Sequence, residues 1–215
     1  AETATPHDEH ALGVYFHWPF CLSKCPYCDF NSHVASNVDH VEWRTALLTE
    51  TRRMASHFGN RRIGSIFFGG GTPSLMAPET VSALLELVAR HWIIDDRVEI
   101  TLEANPTSAD AERFRDFQAA GINRLSLGVQ ALDDDALCFL GRGHTSHEAV
   151  LAAQLAQNVF QRTSIDLIYA RPQQEPRGWH AESEQALNLV DDHISLYQLT
   201  VEKGTAFYDA KRHDR

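Results

Sequence analysis

Nowhere in the 215 residues does an apolar run approach the ~18 needed for a helical membrane span. Basic residues are scarce, with 19 Lys and Arg against 29 Asp and Glu, for a formal charge of −10. That balance argues against a nucleic-acid partner, which favours a basic face, and against attraction to an anionic membrane surface. The polar start, Ala1 to His10, lacks the apolar core of a secretion signal. A transit peptide is disfavoured too, because Glu2, Asp8 and Glu9 are acidic and no arginine is present there. Neither GxGxxG nor the phosphate-loop pattern GxxxxGKS or GxxxxGKT occurs. The twelve histidines show no metal-ligand spacing, although His17 stands out for its place beside a cysteine cluster. Internal repeats and low-complexity segments are absent. What remains, 43% hydrophobic and 22% charged, is the composition of an ordinary globular protein with room for one substantial core.

Cysteine is scarce as well, yet three of the four fall within eight residues as Cys21, Cys25 and Cys28, spaced CxxxCxxC. An odd number of neighbouring thiols leaves one over from any local disulfide. Structural zinc usually takes four ligands from two separated pairs, and no second CxxC or HxxxH follows. Iron–sulfur clusters are held by thiolates, normally four. A cubane held by three leaves one iron open, as a catalytic metal keeps an open position. The cluster reading is therefore preferred, with zinc or a reactive thiol as the alternatives. Cys138, in a helical segment far from the triad, is expected to be a small buried residue and not a ligand. Free thiolates need a reducing compartment, which points to the cytoplasm.

Strands are expected at 13–18, 63–68, 97–103, 123–128, 163–169 and 193–200, alternating with helices. Among the helices, Pro78 suits a first position, Thr145 with Glu148 a capping box, and Gly121 a helix stop. Such alternation implies parallel right-handed βαβ units, either an open doubly wound sheet or a partial (β/α) barrel. Length does not separate the two. Glu103, Gln130 and the Gly69-Gly70-Gly71-Thr72 loop fall at the C-terminal ends of different strands, which suits a barrel mouth better than one switch point. The fold expected is α/β, a six-stranded partial (β/α) barrel over 12–208, with a mobile tail at 1–11 and a tail at 209–215.

Consecutive glycines after a buried strand let backbone approach a ligand closely, although a plain strand-to-helix turn would need only one. Glu103 could accept from an ammonium or a hydroxyl, but alone is more often a solvated loop residue. Asp166 interrupts the apolar run Ile165-Leu167-Ile168 inside a strand, so it needs partners, from a ligand or from the protein. Arg142 could clasp a carboxylate bidentately, or be an ordinary surface arginine.

The cysteine spacing resembles that of the radical S-adenosylmethionine (SAM) enzymes. In them a 4Fe–4S cluster with one open iron chelates SAM, and an electron from it cleaves SAM to a 5′-deoxyadenosyl radical. More narrowly, Tyr15 with His17-Trp18-Pro19-Phe20-Cys21, the 69–74 loop and Glu103-Ala104-Asn105-Pro106 occur in the order of the oxygen-independent coproporphyrinogen III oxidase family. Leu127-Gly128-Val129-Gln130, Gly141-Arg142-Gly143-His144, Asp166-Leu167-Ile168-Tyr169 and 194–202 continue the series. The resemblance implies cluster ligands Cys21, Cys25 and Cys28, and SAM contacts at Tyr15, Gly70, Gly71, Thr72, Glu103, Gln130, Arg142 and Asp166. Tyr27 and Thr200 match positions that contact a second SAM in the oxidase branch.

Phe30 stands where the oxidase branch has a further cysteine, so the resemblance leans to the haem chaperone branch of the family. It then implies haem or a porphyrin as cargo and haem-receiving proteins, membrane-associated ones among them, as partners. The alternatives are SAM-dependent oxidative decarboxylation of porphyrinogen propionates, or a structural or sensing barrel that turns over nothing. Two departures stand out. The family's usual Tyr-Gly-Leu-Pro reads Tyr169-Ala170-Arg171-Pro172 here, and the family's C-terminal domain has no counterpart in this sequence.

Overall fold

The computed structural model describes residues 11–190 and 193–213. The tail expected at 1–11 falls almost wholly outside them, whereas 209–213 of the one expected at 209–215 are described. In chain order the elements are β1 (Leu12–Trp18), β2 (Phe20–Cys21), β3 (His33–Val34), α1 (His40–Phe58), β4 (Arg62–Gly70), α2 (Pro78–His91), β5 (Ile93–Ala104), α3 (Ala111–Ala119), β6 (Arg124–Gln130), α4 (Asp134–Phe139), α5 (Ser146–Val159), β7 (Arg162–Tyr169), α6 (Pro176–Leu187), β8 (His193–Gln198) and α7 (Ala206–Arg212).

One parallel sheet takes the order β1-β4-β5-β6-β7-β8. A doubly wound sheet reverses its strand order at a switch point. Here each crossover steps the same way, so right-handed units stack their helices on one face and the sheet curls. This is the six-stranded partial barrel, with β1 and β8 as its edges. Local chemistry sets the helix starts. Asp39, Asp110 and Asp133 accept from first-turn amides, Thr145 and Glu148 close a capping box, and Pro78 and Pro176 occupy first turns.

Period-two alternation divides the strand residues between two faces. Phe68, Leu102, Leu125, Leu127, Ile165 and Leu167 pack with Val81, Leu84, Phe114, Phe117, Ala149 and Ala153 of the outer helices. The opposite parity is polar: Thr101, Glu103, Arg124, Ser126, Ser164 and Asp166. A closed barrel ordinarily fills its interior with branched apolar side chains. Here the lumen is a hydrogen-bonded network, with Arg124 donating to Thr101 Oγ1 at 3.2 Å and to Ser164 Oγ at 2.8 Å. Ser164 bonds Ser126 at 3.1 Å, and Ser126 donates to Asp166 at 3.2 Å.

Three features differ from the sequence reading. β5 begins at Ile93, because Ile93 and Ile94 already pair with Arg62 and Ile63 of β4. α7 occupies part of the stretch read as a tail; Thr205 caps it, and Phe207 stacks on Phe139 with ring centroids 4.8 Å apart. Cys138 is exposed, not buried, because six-residue α4 turns Leu137 inward and leaves its neighbour facing out.

Candidate functional site

β1 runs into Pro19, and β2 then carries Cys21 to the C-terminal mouth of the barrel. β2 and β3 pair in parallel. His33 N donates to Pro19 O at 2.7 Å and Ala35 N to Cys21 O at 3.2 Å, so residues 22–32 form a loop tied at both ends. Inside it Cys28 N donates to Cys25 O at 3.1 Å, and Lys24 Nζ donates to the carbonyls of Phe30 and Ser32 at 3.2 and 3.1 Å. His17 Nε2 donates to Asn31 O at 2.8 Å. The histidine that the sequence singled out thus ties β1 to the cysteine loop.

All three thiols are free and half-buried, and each has its own polar neighbour. Thr72 Oγ1 donates to Cys21 Sγ at 3.4 Å, Arg142 Nη1 lies 3.3 Å from Cys25 Sγ, and Ser32 Oγ lies 4.0 Å from Cys28 Sγ. Burial pushes the Cys28 thiol above its ordinary pKa, against the pull of a backbone hydrogen bond at Phe30. Among the described residues, no three His, Cys, Asp or Glu side chains converge on a point that one metal ion could fill. A cubane asks for something else, since each thiolate binds a different iron and the sulfurs stand around a body. One tied loop, three separate thiols and a polar side chain beside each suit that requirement.

The cysteines open onto a cavity of about 510 Å³ that is also lined by Gly70, Gly71, Thr72, Glu103, Gln130, Arg142 and Asp166. Tyr27, Phe30 and Thr200 line it too. Seven of the eight expected SAM contacts therefore meet in one place. Tyr15 is the exception. It is 56% exposed, and its hydroxyl lies 3.3 Å from His17 Nδ1. Its ring stacks on Phe67. It sits near enough to Glu103 for that carboxylate, after burial, to raise its pKa.

The glycine loop has a reason inside the protein as well. Gly71 N donates to Trp18 O at 2.7 Å and Thr72 N to Phe20 O at 2.8 Å, so the loop runs against the entry to the cysteine loop. Gly70 has φ +121°, and a Cβ there would lie 2.8 Å from Trp18 O. A Cβ at Gly71 would lie 2.9 Å from Cys21 Sγ. A side chain at either position would collide with the protein before any ligand arrived.

Gly70 N donates to Glu103 Oε2 at 3.1 Å. Burial, with the nearby Asp166 charge adding to it, raises Glu103 to about 7 despite that hydrogen bond. Burial likewise raises Asp166, while Ser195 and Ser126 pull it back. Arg142 donates to Gly128 O at 2.9 Å and to Asn105 Oδ1, while its Nε is buried without a partner. An orphaned donor on a cavity wall suits an anionic ligand such as a carboxylate.

The sequence reading met Asn105 only as part of the Glu103-Ala104-Asn105-Pro106 motif and gave it no role at the site. Its Nδ2 donates to Thr72 Oγ1 at 3.1 Å, so it bridges the glycine loop to Arg142. The signal was there: Asn105 lies two residues after Glu103, one past the end of β5, where extended backbone continues the period-two alternation.

The family model of the radical SAM superfamily matches residues 15–179. The chain belongs to the radical SAM superfamily. It is 43% identical over 208 residues to the Bos taurus radical S-adenosyl methionine domain-containing protein 1, mitochondrial, covering 96% of this chain and 47% of that protein. To the heme chaperone HemW of Escherichia coli it is 40% identical over 198 residues, 91% of this chain and 52% of the relative. Among solved structures, coproporphyrinogen III oxidase (HemN) from Escherichia coli superposes with a TM-score of 0.82 at 27% identity, over 95% of this chain and 47% of that one. The chain thus spans about half the length of these proteins. The family implies a 4Fe–4S cluster and SAM, and the thiols and cavity described above fit both.

Proposed function

We propose that this chain is the cluster- and SAM-binding barrel of a haem chaperone, which binds haem and hands it to haem-protein targets. The observation that carries the choice is Phe30. It is 59% exposed on the cavity wall, where the oxidase branch of the family has a further cysteine. A phenylalanine neither ligates metal nor relays protons, but it offers an apolar ring to a porphyrin face. The similarity to HemW supports the same reading.

Cys21, Cys25 and Cys28 would hold the cluster. Glu103 and the Gly70-Gly71 backbone would receive the ammonium of SAM, Arg142 its carboxylate, and Gln130 and Asp166 its remaining polar groups. When bound, the pair would supply one-electron chemistry at the open iron. What this chain contributes is charge pairing at both ends of the amino-acid moiety and a half-closed cavity around it. Haem or a porphyrin would be the cargo, and haem-receiving proteins, membrane-associated ones included, the partners. Among the described residues no helix is long and apolar enough to cross a membrane. Free thiols need reducing surroundings; we retain the cytoplasm as the site of action, while noting that the bovine relative is named as mitochondrial.

A second reading, oxidative decarboxylation of coproporphyrinogen III, draws on Tyr27 and Thr200, which line the cavity where the oxidase branch contacts a second SAM. An anaerobic assay of the full-length protein with SAM, a reductant and coproporphyrinogen III separates the two. We expect haem binding and no protoporphyrinogen by chromatography. Its formation at multiple turnovers would overturn the chaperone reading.

A further inference from the structure

Gln130 reaches the cavity by an irregular backbone route. β6 and β7 stay in register up to the pair Leu127–Ile165, then lose register before Gln130–Leu167. A bulge of this kind re-aims a side chain and recurs beside active sites. Gln130 itself has φ +71°, a left-handed conformation that costs a non-glycine residue energy. Something must hold the segment there. From one side Arg142 donates to Gly128 O at 2.9 Å and His144 Nε2 to Val129 O at 3.1 Å. From the other, the Leu132 amide donates to Glu182 Oε1 at 2.8 Å.

Glu182 lies on α6 and is 8% exposed. A carboxylate so enclosed needs partners. Arg171 supplies both ends of its guanidinium, Nη1 at 3.1 Å and Nη2 to the other oxygen, and Gln174 Nε2 adds a contact at 3.3 Å. The β7–α6 loop that delivers Arg171 is itself strained, with φ +58° at Ala170 and +60° at Gln173. Among the described non-glycine residues, three of the four with positive φ therefore sit in the two segments that Glu182 joins, the end of β6 and the β7–α6 loop.

We propose that Glu182 is a positioning residue for the cavity. It anchors the β6–α4 loop through the Leu132 amide and so sets where Gln130 stands; Arg171 is the counter-ion that makes a buried carboxylate tenable. The anchoring stands on geometry alone, whereas its effect on ligand rests on the SAM reading above.

The test uses the full-length protein, reconstituted anaerobically, as wild type, Arg171→Leu/Glu182→Leu and Arg171→Leu/Glu182→Gln. Apolar replacement of a buried ion pair is commonly neutral or stabilising, but here it orphans the Leu132 amide, so the dileucine variant should stay folded and keep its cluster absorbance, with a melting temperature at or modestly below that of the wild type. It has no acceptor for Leu132. Amide exchange at 130–132 should therefore quicken, and SAM affinity should fall at least ~10-fold through misplacement of Gln130. The glutamine variant keeps an oxygen for Leu132 and should retain slow exchange and near-wild-type affinity. Unchanged exchange in the dileucine variant, or equal loss of affinity in the glutamine variant, would overturn the assignment. If the wild type bound no SAM, the SAM reading would fall, and the exchange pattern would still decide for or against Glu182.

Discussion

Glu103 offers the most direct test of the cavity. Its ordinary pKa would be 4.5, and burial raises it to about 7. Two and a half pH units at about 1.36 kcal/mol each make the penalty on the charged form roughly 3 kcal/mol. The folded pKa lies above the unfolded one, so the folded state holds the proton more tightly. Stability from this group is complete below about 4.5 and is lost as the pH rises through about 7. A bound ammonium reverses the preference by pairing with the ionised form. Below about 7, binding must first release that proton, so SAM affinity should fall ~10-fold for each pH unit of acidification. The α-amino group of SAM titrates near ~7.7–8.0 and governs only the alkaline side. Glu103→Gln should abolish the acid limb and weaken binding at pH ~8 by ~10-fold or more, the loss of one charge-assisted contact. Calorimetry or perturbation of the cluster spectrum, run anaerobically across the pH range, reads both. A flat wild-type profile, or the same acid limb in the glutamine variant, would refute the role given to Glu103.

Two further outcomes follow from the same geometry. Cluster assembly should need Cys21, Cys25 and Cys28 but not exposed Cys138. Reconstituted Cys138→Ser should keep the broad visible absorbance of an iron–sulfur protein, and the assignment fails if it loses that absorbance while Cys25→Ser keeps it. Ala170, with φ +58°, carries a left-handed strain of about 1–2 kcal/mol that glycine would relieve, less the ~0.5–1 kcal/mol glycine loses through unfolded-chain entropy. Ala170→Gly should therefore raise the melting temperature by roughly 1–4 °C, and Ala170→Val should lower it. Calorimetry that shows destabilisation by glycine would refute the strain.

How much of this was legible in the sequence depended on whether a residue's role is set by local spacing or by register. The cysteines, the glycine loop and the capping box have short-range rules, so they could be placed before any fold was known. The barrel followed from polar residues recurring at C-terminal strand ends, and the uninterrupted strand order bears this out. Glu103 and Gly70, 33 residues apart, meet only because β4 and β5 pair with Ile66 opposite Ile100 and Phe68 opposite Leu102. Cys25 and Arg142 are 117 apart and meet across the mouth. No spacing rule reaches that far. The departure at Ala170-Arg171 makes the same point from the other side. In the sequence, Arg171 reads as a stray charge at a turn that has lost a glycine. In the fold, the strained turn delivers that charge to Glu182, and the pair fixes a loop on a neighbouring strand. A residue that touches a ligand is visible through its motif, whereas one that holds such a residue in place is visible only through the contacts the register creates.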